Sequence, residues 1–323
     1  MSHQEFIQKT NYYSNLNIPF LFVVDFEQEK PFVCELSQAK ELGFFYSVNG
    51  NSNISDTFSE GTSSFKMQID PVNLMQYSTA FNTVKQNIID GNSYLLNLTF
   101  PSKVQLSLSF EDIFKNAEAP YKLLHKDFVV FSPECFIKII GGEIYSYPMK
   151  GTIDASIPEA RKIILEDEKE LWEHNTIVDL IRNDLSIVST NVKVSKFRYI
   201  TTIRTHKNTL LQVNSEIKGQ LPKDWKSNIG NILLKLLPAG SISGAPKQKT
   251  IEIIKEAEGV KRGYYTGVFG IFDGNNLDSG VMIRYMEKTT DGCQFRSGGG
   301  ITAMSKENKE YNELINKVYV PFV

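Results

Sequence analysis

Phe136-Ile-Lys-Ile-Ile-Gly-Gly-Glu-Ile-Tyr-Ser-Tyr147 is the stretch from which the architecture of this chain can be read. Apolar and polar residues alternate on both sides of Gly141-Gly142, which predicts a β-hairpin, because paired glycines accept the left-handed backbone of a tight turn. Ser132-Pro133-Glu134-Cys135-Phe136 leads into the hairpin and Pro148-Met149-Lys150-Gly151-Thr152 leaves it. Glu134 and Lys150 therefore fall at the open end of one ladder. A carboxyl and an amine so placed offer a proton donor and a nucleophile, and they equally describe a surface ion pair. The Ser-Pro entry and Gly-Thr exit shape the backbone around both charges, which a solvated pair does not require.

Upstream, Phe20-Leu-Phe-Val-Val-Asp-Phe26, Phe32-Val-Cys-Glu-Leu36 and Phe44-Phe-Tyr-Ser-Val48 read as adjacent strands. The polar stretch 49–65 marks the one boundary, giving a short β-rich segment 1–66 packed on a main domain 67–323. Asp70-Pro71 opens a helical pattern ending at Gly91, and Tyr94–Phe100 reads as a strand. Downstream, residues 166–185 form the most convincing helix, acidic at its start as the macrodipole prefers. Short strands follow near 192–194 and 210–217. A helix spans 246–258 with Pro246 in its first turn, strands lie at 265–272 and 279–286, and a last helix runs from about Lys306 to Tyr319. Strands and helices in mixed order predict an α+β fold with large antiparallel β-sheets flanked by helices.

The chain of 323 residues carries 35 Lys+Arg against 37 Asp+Glu, a net charge of −2, which gives no electrostatic footprint for nucleic acid or an acidic membrane surface. Cys34, Cys135 and Cys293 are scattered without zinc-knuckle spacing, as in a reducing compartment. No stretch has the length to span a bilayer, so a cytoplasmic protein is expected.

Glu170 and Glu173 share one helix face, and Glu310 and Glu313 share another. Each alone reads as a solvated acidic face. Should the two converge, they make an all-oxygen site suited to a hard cation such as Mg²⁺. Pro238-Ala-Gly-Ser-Ile-Ser-Gly-Ala-Pro-Lys247 sets glycine-rich backbone before a helix, a cradle for an anion that lacks the spacing of a Walker phosphate loop. Arg284, inside the expected strand Val281-Met-Ile-Arg-Tyr285, suits either a two-pronged bond to a ligand carboxylate or pairing with a buried acid. Ser297-Gly-Gly-Gly-Ile301 is a second close-approach backbone. His174 and His206 have no triad-like partners in sequence.

Together these blocks resemble the chorismate-utilising enzymes: anthranilate synthase component I, aminodeoxychorismate synthase component I, and the isochorismate and salicylate synthases. The resemblance runs from about residue 70 to the C-terminus and includes Glu173-His174, Val178–Leu185, Arg262-Gly-Tyr-Tyr-Thr-Gly267 and Glu310-Tyr-Asn-Glu313. It implies the chorismate-utilising fold, a Mg²⁺ ion held by Glu173 and Glu313 with Glu170 and Glu310 acting through water, and a substrate site of Thr152, Gly244, Ala245, Tyr265, Arg284, Gly298, Gly299 and Lys317. Within it, Arg284, Tyr265 and the Gly244-Ala245 backbone would hold the enolpyruvyl carboxylate.

Lysine at position 150 resembles the aminodeoxychorismate branch, where anthranilate synthases carry alanine. The implied route has Lys150 attack C2 of chorismate while Glu134 protonates the departing C4 hydroxyl, after which ammonia attacks C4 and expels the lysine. Glu134 would have to be protonated, lifted from about 4.3, and Lys150 neutral, lowered from about 10.4. The ammonia would come from a separate glutamine amidotransferase subunit, since no Cys/His/Glu glutaminase constellation occurs here. Leu95 stands where relatives carry glutamine or a water-activating lysine, which argues against the water-using branches. Gln212, Cys135 and Ile153-Asp154 also depart from the pattern and bear on substrate positioning. The short N-terminal part predicts no inhibition by tryptophan.

Overall fold

The computed structural model describes residues 1–54, 65–204 and 209–321. From the N-terminus come α1 (His3–Asn15), β1 (Phe20–Val24), β2 (Phe32–Glu35), β3 (Phe45–Val48), β4 (Asn51–Ser52) and β5 (Met67–Asp70). Next are α2 (Leu74–Ile89), β6 (Leu95–Leu106), α3 (Phe110–Asn116), β7 (Tyr121–His125) and β8 (Phe128–Ser132). The hairpin is β9 (Cys135–Ile140) and β10 (Glu143–Ser146), and it continues into β11 (Met149–Asp154). Then follow α4 (Ala160–Glu166), α5 (Glu168–Ser186), β12 (Thr190–Arg204), β13 (Thr209–Gln220), α6 (Ile229–Leu236), β14 (Gly244–Ala245) and α7 (Lys247–Glu258). The chain closes with β15 (Val268–Phe272), β16 (Leu277–Val281), β17 (Tyr285–Thr289), β18 (Gly292–Thr302) and α8 (Glu307–Asn316).

Two nine-stranded antiparallel sheets result, making the protein α+β as its sequence predicts. One runs β11-β13-β10-β9-β16-β15-β1-β2 with β12 beside β13; the other runs β14-β6-β18-β17-β8-β7-β3-β4 with β5 beside β6. Strand β1 shows how they are held. All five of its residues are buried, and the two-residue period sends Leu21 and Val23 into a core shared with β3, β7, β8 and β17 of the other sheet. Phe20, Phe22 and Val24 face a second core under α2, α5, α6 and α7.

The hairpin forms as expected, with Gly141 and Gly142 both at positive φ, 59° and 82°. Several readings are corrected. β1 and β2 pair, but β3 joins the other sheet against β7, after a turn at Gly43 (φ 80°). The run expected as one strand over 279–286 splits: β16 lies in one sheet and β17 in the other. Arg284 occupies that crossing at φ 52°. Residues Met67–Asp70 form strand β5, and the helix after it starts at Leu74 on an Asn73 cap. β12 and β13 are 15 and 12 residues long, far beyond the short segments expected. Pro246 is the cap of α7 and not part of its first turn. The 49–65 boundary falls mostly, and His206 wholly, outside the described residues.

Candidate active site

Glu134 leaves β8 through Ser132-Pro133 and is pinned on both sides of its backbone: its N–H donates to Ser132 Oγ at 3.1 Å, and its carbonyl accepts from the Val281 N–H at 3.0 Å. The hairpin register pairs Ile140 with Glu143 and Lys138 with Tyr145. Among the described residues that ladder ends at Lys138 and Tyr145, so Glu134 and Lys150 share a cavity wall and no backbone pairing sets them side by side. Strand β11 pairs with β13, but its register shifts between Met149 and Thr152. Gly151 sits in that irregularity at φ 85°, and a Cβ on it would come within 3.3 Å of Glu170 Oε2.

Both side chains open on one cavity of about 770 Å³, whose wall also holds Thr152, Gly244, Tyr265, Arg284, Gly298, Gly299 and Lys317. A second space of about 400 Å³ adjoins it, lined by Glu170 and Glu173 from α5 and Glu310 and Glu313 from α8. Lys150, Thr152 and Lys317 line both. The two acidic faces thus converge on one space, and Lys150 stands at the seam. Ala245 is absent from either wall. Its carbonyl accepts from the Tyr94 N–H at 2.8 Å and from Ser93 Oγ at 3.1 Å, which ties the loop to β6.

Burial raises the Glu134 carboxyl above the usual carboxylate range, and this outweighs the hydrogen bond it accepts from Ser241. That direction matches an acid that keeps its proton. Lys150 departs from expectation. Burial works against its charge, but Glu173, Glu170 and Glu313 outweigh burial and hold the amine above its ordinary value. Its Nζ lies 2.5 Å from Glu173 Oε2. Burial, then neighbouring carboxylates, raises Glu170 and Glu310, whereas the Lys317 amine 2.6 Å away helps hold Glu313 low. Burial pushes His174 down to about 4, so it stays neutral, with Nε2 2.7 Å from Ser215 Oγ.

Glu170 Oε2 is buried without a hydrogen-bond partner, an acceptor left open in the acidic space. Among the described residues no group of three or more His, Cys, Asp or Glu side chains is closed up around a metal-sized point. Mg²⁺ needs none, since it keeps several waters and takes one or two carboxylates directly. The four glutamates fit such a hydrated ion.

Among the described residues no carboxylate pairs with Arg284, which removes the buried-acid reading. Its guanidinium instead stacks on the Tyr319 ring, 4.9 Å from the centroid, and its carbonyl accepts from the Phe131 N–H at 3.1 Å. Sequence reasoning gave no role to Ser241, Tyr319 or Arg262. Arg262 is 1% exposed. It binds Glu258 through Nε at 2.9 Å and Nη2 at 2.5 Å, and it also donates to the carbonyls of Ile242 (2.9 Å) and Asn97 (2.6 Å). The cavity loop 240–244 is thereby clamped to α7 and β6. The i,i+4 spacing of Glu258 and Arg262 was a signal available in the sequence.

The chain matches the model of a family described as chorismate binding enzymes over residues 3–322. It is 50% identical over 322 residues, 99% of each chain, to a PabA-like protein of Pasteurella multocida described as uncharacterized. It is 33% identical to an anthranilate synthase component 1 of Haloarcula marismortui, covering 75% of this chain and 51% of that one. To the aminodeoxychorismate synthase component 1 of Bacillus subtilis the identity is 30%, covering 75% and 54%. The chain therefore spans about half the length of these last two relatives. A solved structure described as a 2,3-dihydroxybenzoate-specific isochorismate synthase of Bacillus anthracis shares the fold, with a TM-score of 0.72 at 20% identity over 98% of this chain and 86% of that one.

Proposed function

The chain belongs to the chorismate binding enzyme family, and from that premise we propose that it is an aminodeoxychorismate synthase component I, exchanging the C4 hydroxyl of chorismate for an amino group on the way to para-aminobenzoate and folate. The observation that carries this reading is Lys150 Nζ at the seam of the two spaces, 2.5 Å from Glu173 and on the wall of the same cavity as Glu134.

Lys150 reacts as the free amine, so its proton must first pass to the Glu173 carboxylate 2.5 Å away and the ion pair be given up. Its nitrogen bonds to C2, the ring double bonds shift, and the C4–O bond breaks. The proton of Glu134 leaves with that oxygen as water. Ammonia then bonds to C4, the double bonds shift back, and the C2–N bond breaks to return the lysine amine. The extra proton on the new C4 amine passes to the Glu134 carboxylate and restores the acid. Glu173 and Glu313 would hold Mg²⁺, with Glu170 and Glu310 acting through water; when bound, the ion supplies a Lewis acid for the ring carboxylate. Arg284 and Tyr265, with the Gly244 backbone, hold the enolpyruvyl carboxylate. Ammonia is supplied by a separate glutamine amidotransferase subunit, and the setting is the cytoplasm. Among the described residues no helix is long and apolar enough to cross a membrane.

The test is incubation with chorismate, Mg²⁺ and ammonium, with product analysis by mass spectrometry and the intact protein weighed for an adduct on residue 150. Aminodeoxychorismate from the wild type and neither product nor adduct from Lys150→Ala is expected. Turnover by Lys150→Ala at the wild-type rate overturns the route. A second reading, anthranilate synthase component I, is favoured by the slightly higher identity to the Haloarcula relative; its product is fluorescent anthranilate.

A further inference from the structure

We propose that Tyr319, in the segment after α8, is a positioning residue for Arg284 and that this segment forms part of the substrate site. The inference rests on the reading above that Arg284 takes a carboxylate of chorismate. Arg284 stands where the chain crosses from one sheet to the other, at φ 52°, with its carbonyl fixed by Phe131 and no carboxylate among the described residues to orient its side chain. What does orient it is Tyr319: the ring lies 4.9 Å beneath the guanidinium carbon and the hydroxyl 3.5 Å from Nη2.

Stacking occupies the face of a guanidinium and leaves its in-plane N–H donors free at the edge, where a planar carboxylate binds with two parallel hydrogen bonds. An aromatic ring is therefore a better support for a ligand-binding arginine than an acid, which would consume those donors. The ring is itself held. Val318 and Val320 on either side are buried in the core beneath α3, and the Pro321 carbonyl accepts from the Glu118 N–H at 2.8 Å. Lys317, two residues before Tyr319, donates to the Gly298 carbonyl at 3.0 Å and pairs with Glu313. Tyr319 and Pro321 face the same cavity as Arg284. One short segment thus sets a cation beside the acidic space and an aromatic platform on the wall of the larger cavity.

The test measures chorismate binding by calorimetry with Mg²⁺ and without ammonia, so it does not depend on which product forms. Tyr319→Leu is expected to raise the dissociation constant about 3- to 10-fold, the range of a partly desolvated cation–π contact. Tyr319→Phe, which keeps the ring, should stay within about twofold, and kcat of the leucine variant at saturating chorismate should be close to wild type. In an Arg284→Gln background, Tyr319→Leu should add nothing. Unchanged affinity in Tyr319→Leu, or a loss that persists undiminished in Arg284→Gln, overturns the proposal while leaving the proposed reaction standing. A wild type that binds no chorismate overturns both.

Discussion

The Lys150 amine and the Glu173 carboxylate, 2.5 Å apart, join β11 to α5 across the line where the two cavities meet. Glu173 is only 5% exposed at its side chain while Lys150 is 29% exposed, so the pair puts a deeply placed negative charge under a half-open positive one. Among the described residues Lys169, 3.6 Å from the other Glu173 oxygen, is its one further cation. In the proposed reaction the same contact has to open, which makes its strength a functional quantity.

Lys150→Ala should lower stability in the presence of a chelator by about 1–3 kcal/mol, less than the ~3–5 kcal/mol of breaking a fully buried pair, because Lys169 remains. Calorimetric melting at low ionic strength reads this. Added Mg²⁺ should restore more of the midpoint in the variant than in the wild type, since Glu173, Glu170 and Glu313 then lack the amine that faced them.

Glu134→Gln should cut kcat by about 10²- to 10⁴-fold, the usual worth of a positioned acid, while chorismate affinity stays within about threefold. The folded-state pKa of Glu134 is raised, so its stabilising proton is fully in place below the ordinary value of 4.5 and is lost as pH rises through the folded value. Wild-type stability relative to Glu134→Gln should accordingly fall as pH climbs from about 4.5, and activity should fall over the same alkaline limb. A difference that grows with pH contradicts the assignment.

Ser241 donates to Glu134 and so favours its ionised form. Ser241→Ala should shift the alkaline limb of the rate profile upward by roughly 1–2 pH units, as expected for a hydrogen bond to a charged group worth about 1.5–3 kcal/mol. Rate against pH at saturating chorismate measures it; a downward shift refutes the donor role.

Arg262→Leu leaves the Glu258 carboxylate buried and unpaired and should destabilise by about 3–5 kcal/mol in urea unfolding. Arg262→Leu with Glu258→Leu should cost markedly less. KM should rise even where the single variant folds, because the 240–244 loop loses its anchor at Ile242.

Much of this was legible in the chain because its signals were local. Gly141-Gly142 with flanking alternation specifies a turn and a ladder, and Glu170/Glu173 and Glu310/Glu313 declare their shared faces by spacing. Their convergence was not legible, since it depends on how α5 and α8 dock across two sheets. β18 was missed as a strand because Gly298–Gly300 erases the side-chain pattern, although the same residues pair with Asn97–Thr99 over the cavity floor. Val281–Tyr285 reads as one strand because apolar residues continue through it, and only the left-handed backbone at Arg284 shows the change of sheet. Tyr319 carries no signal at all: its importance lies wholly in which side chain it meets.

The placement of β1 has a price in assembly. Phe20–Val24 hydrogen-bonds to Val268–Phe272, a partner that leaves the ribosome long after it, and pairings this distant in sequence make for slow closure. Until then a fully apolar five-residue strand waits with at least one bare edge, an invitation to pair with another nascent copy. Yield in cells should therefore respond to chaperone supply and growth temperature more steeply than the stability of the finished protein would suggest.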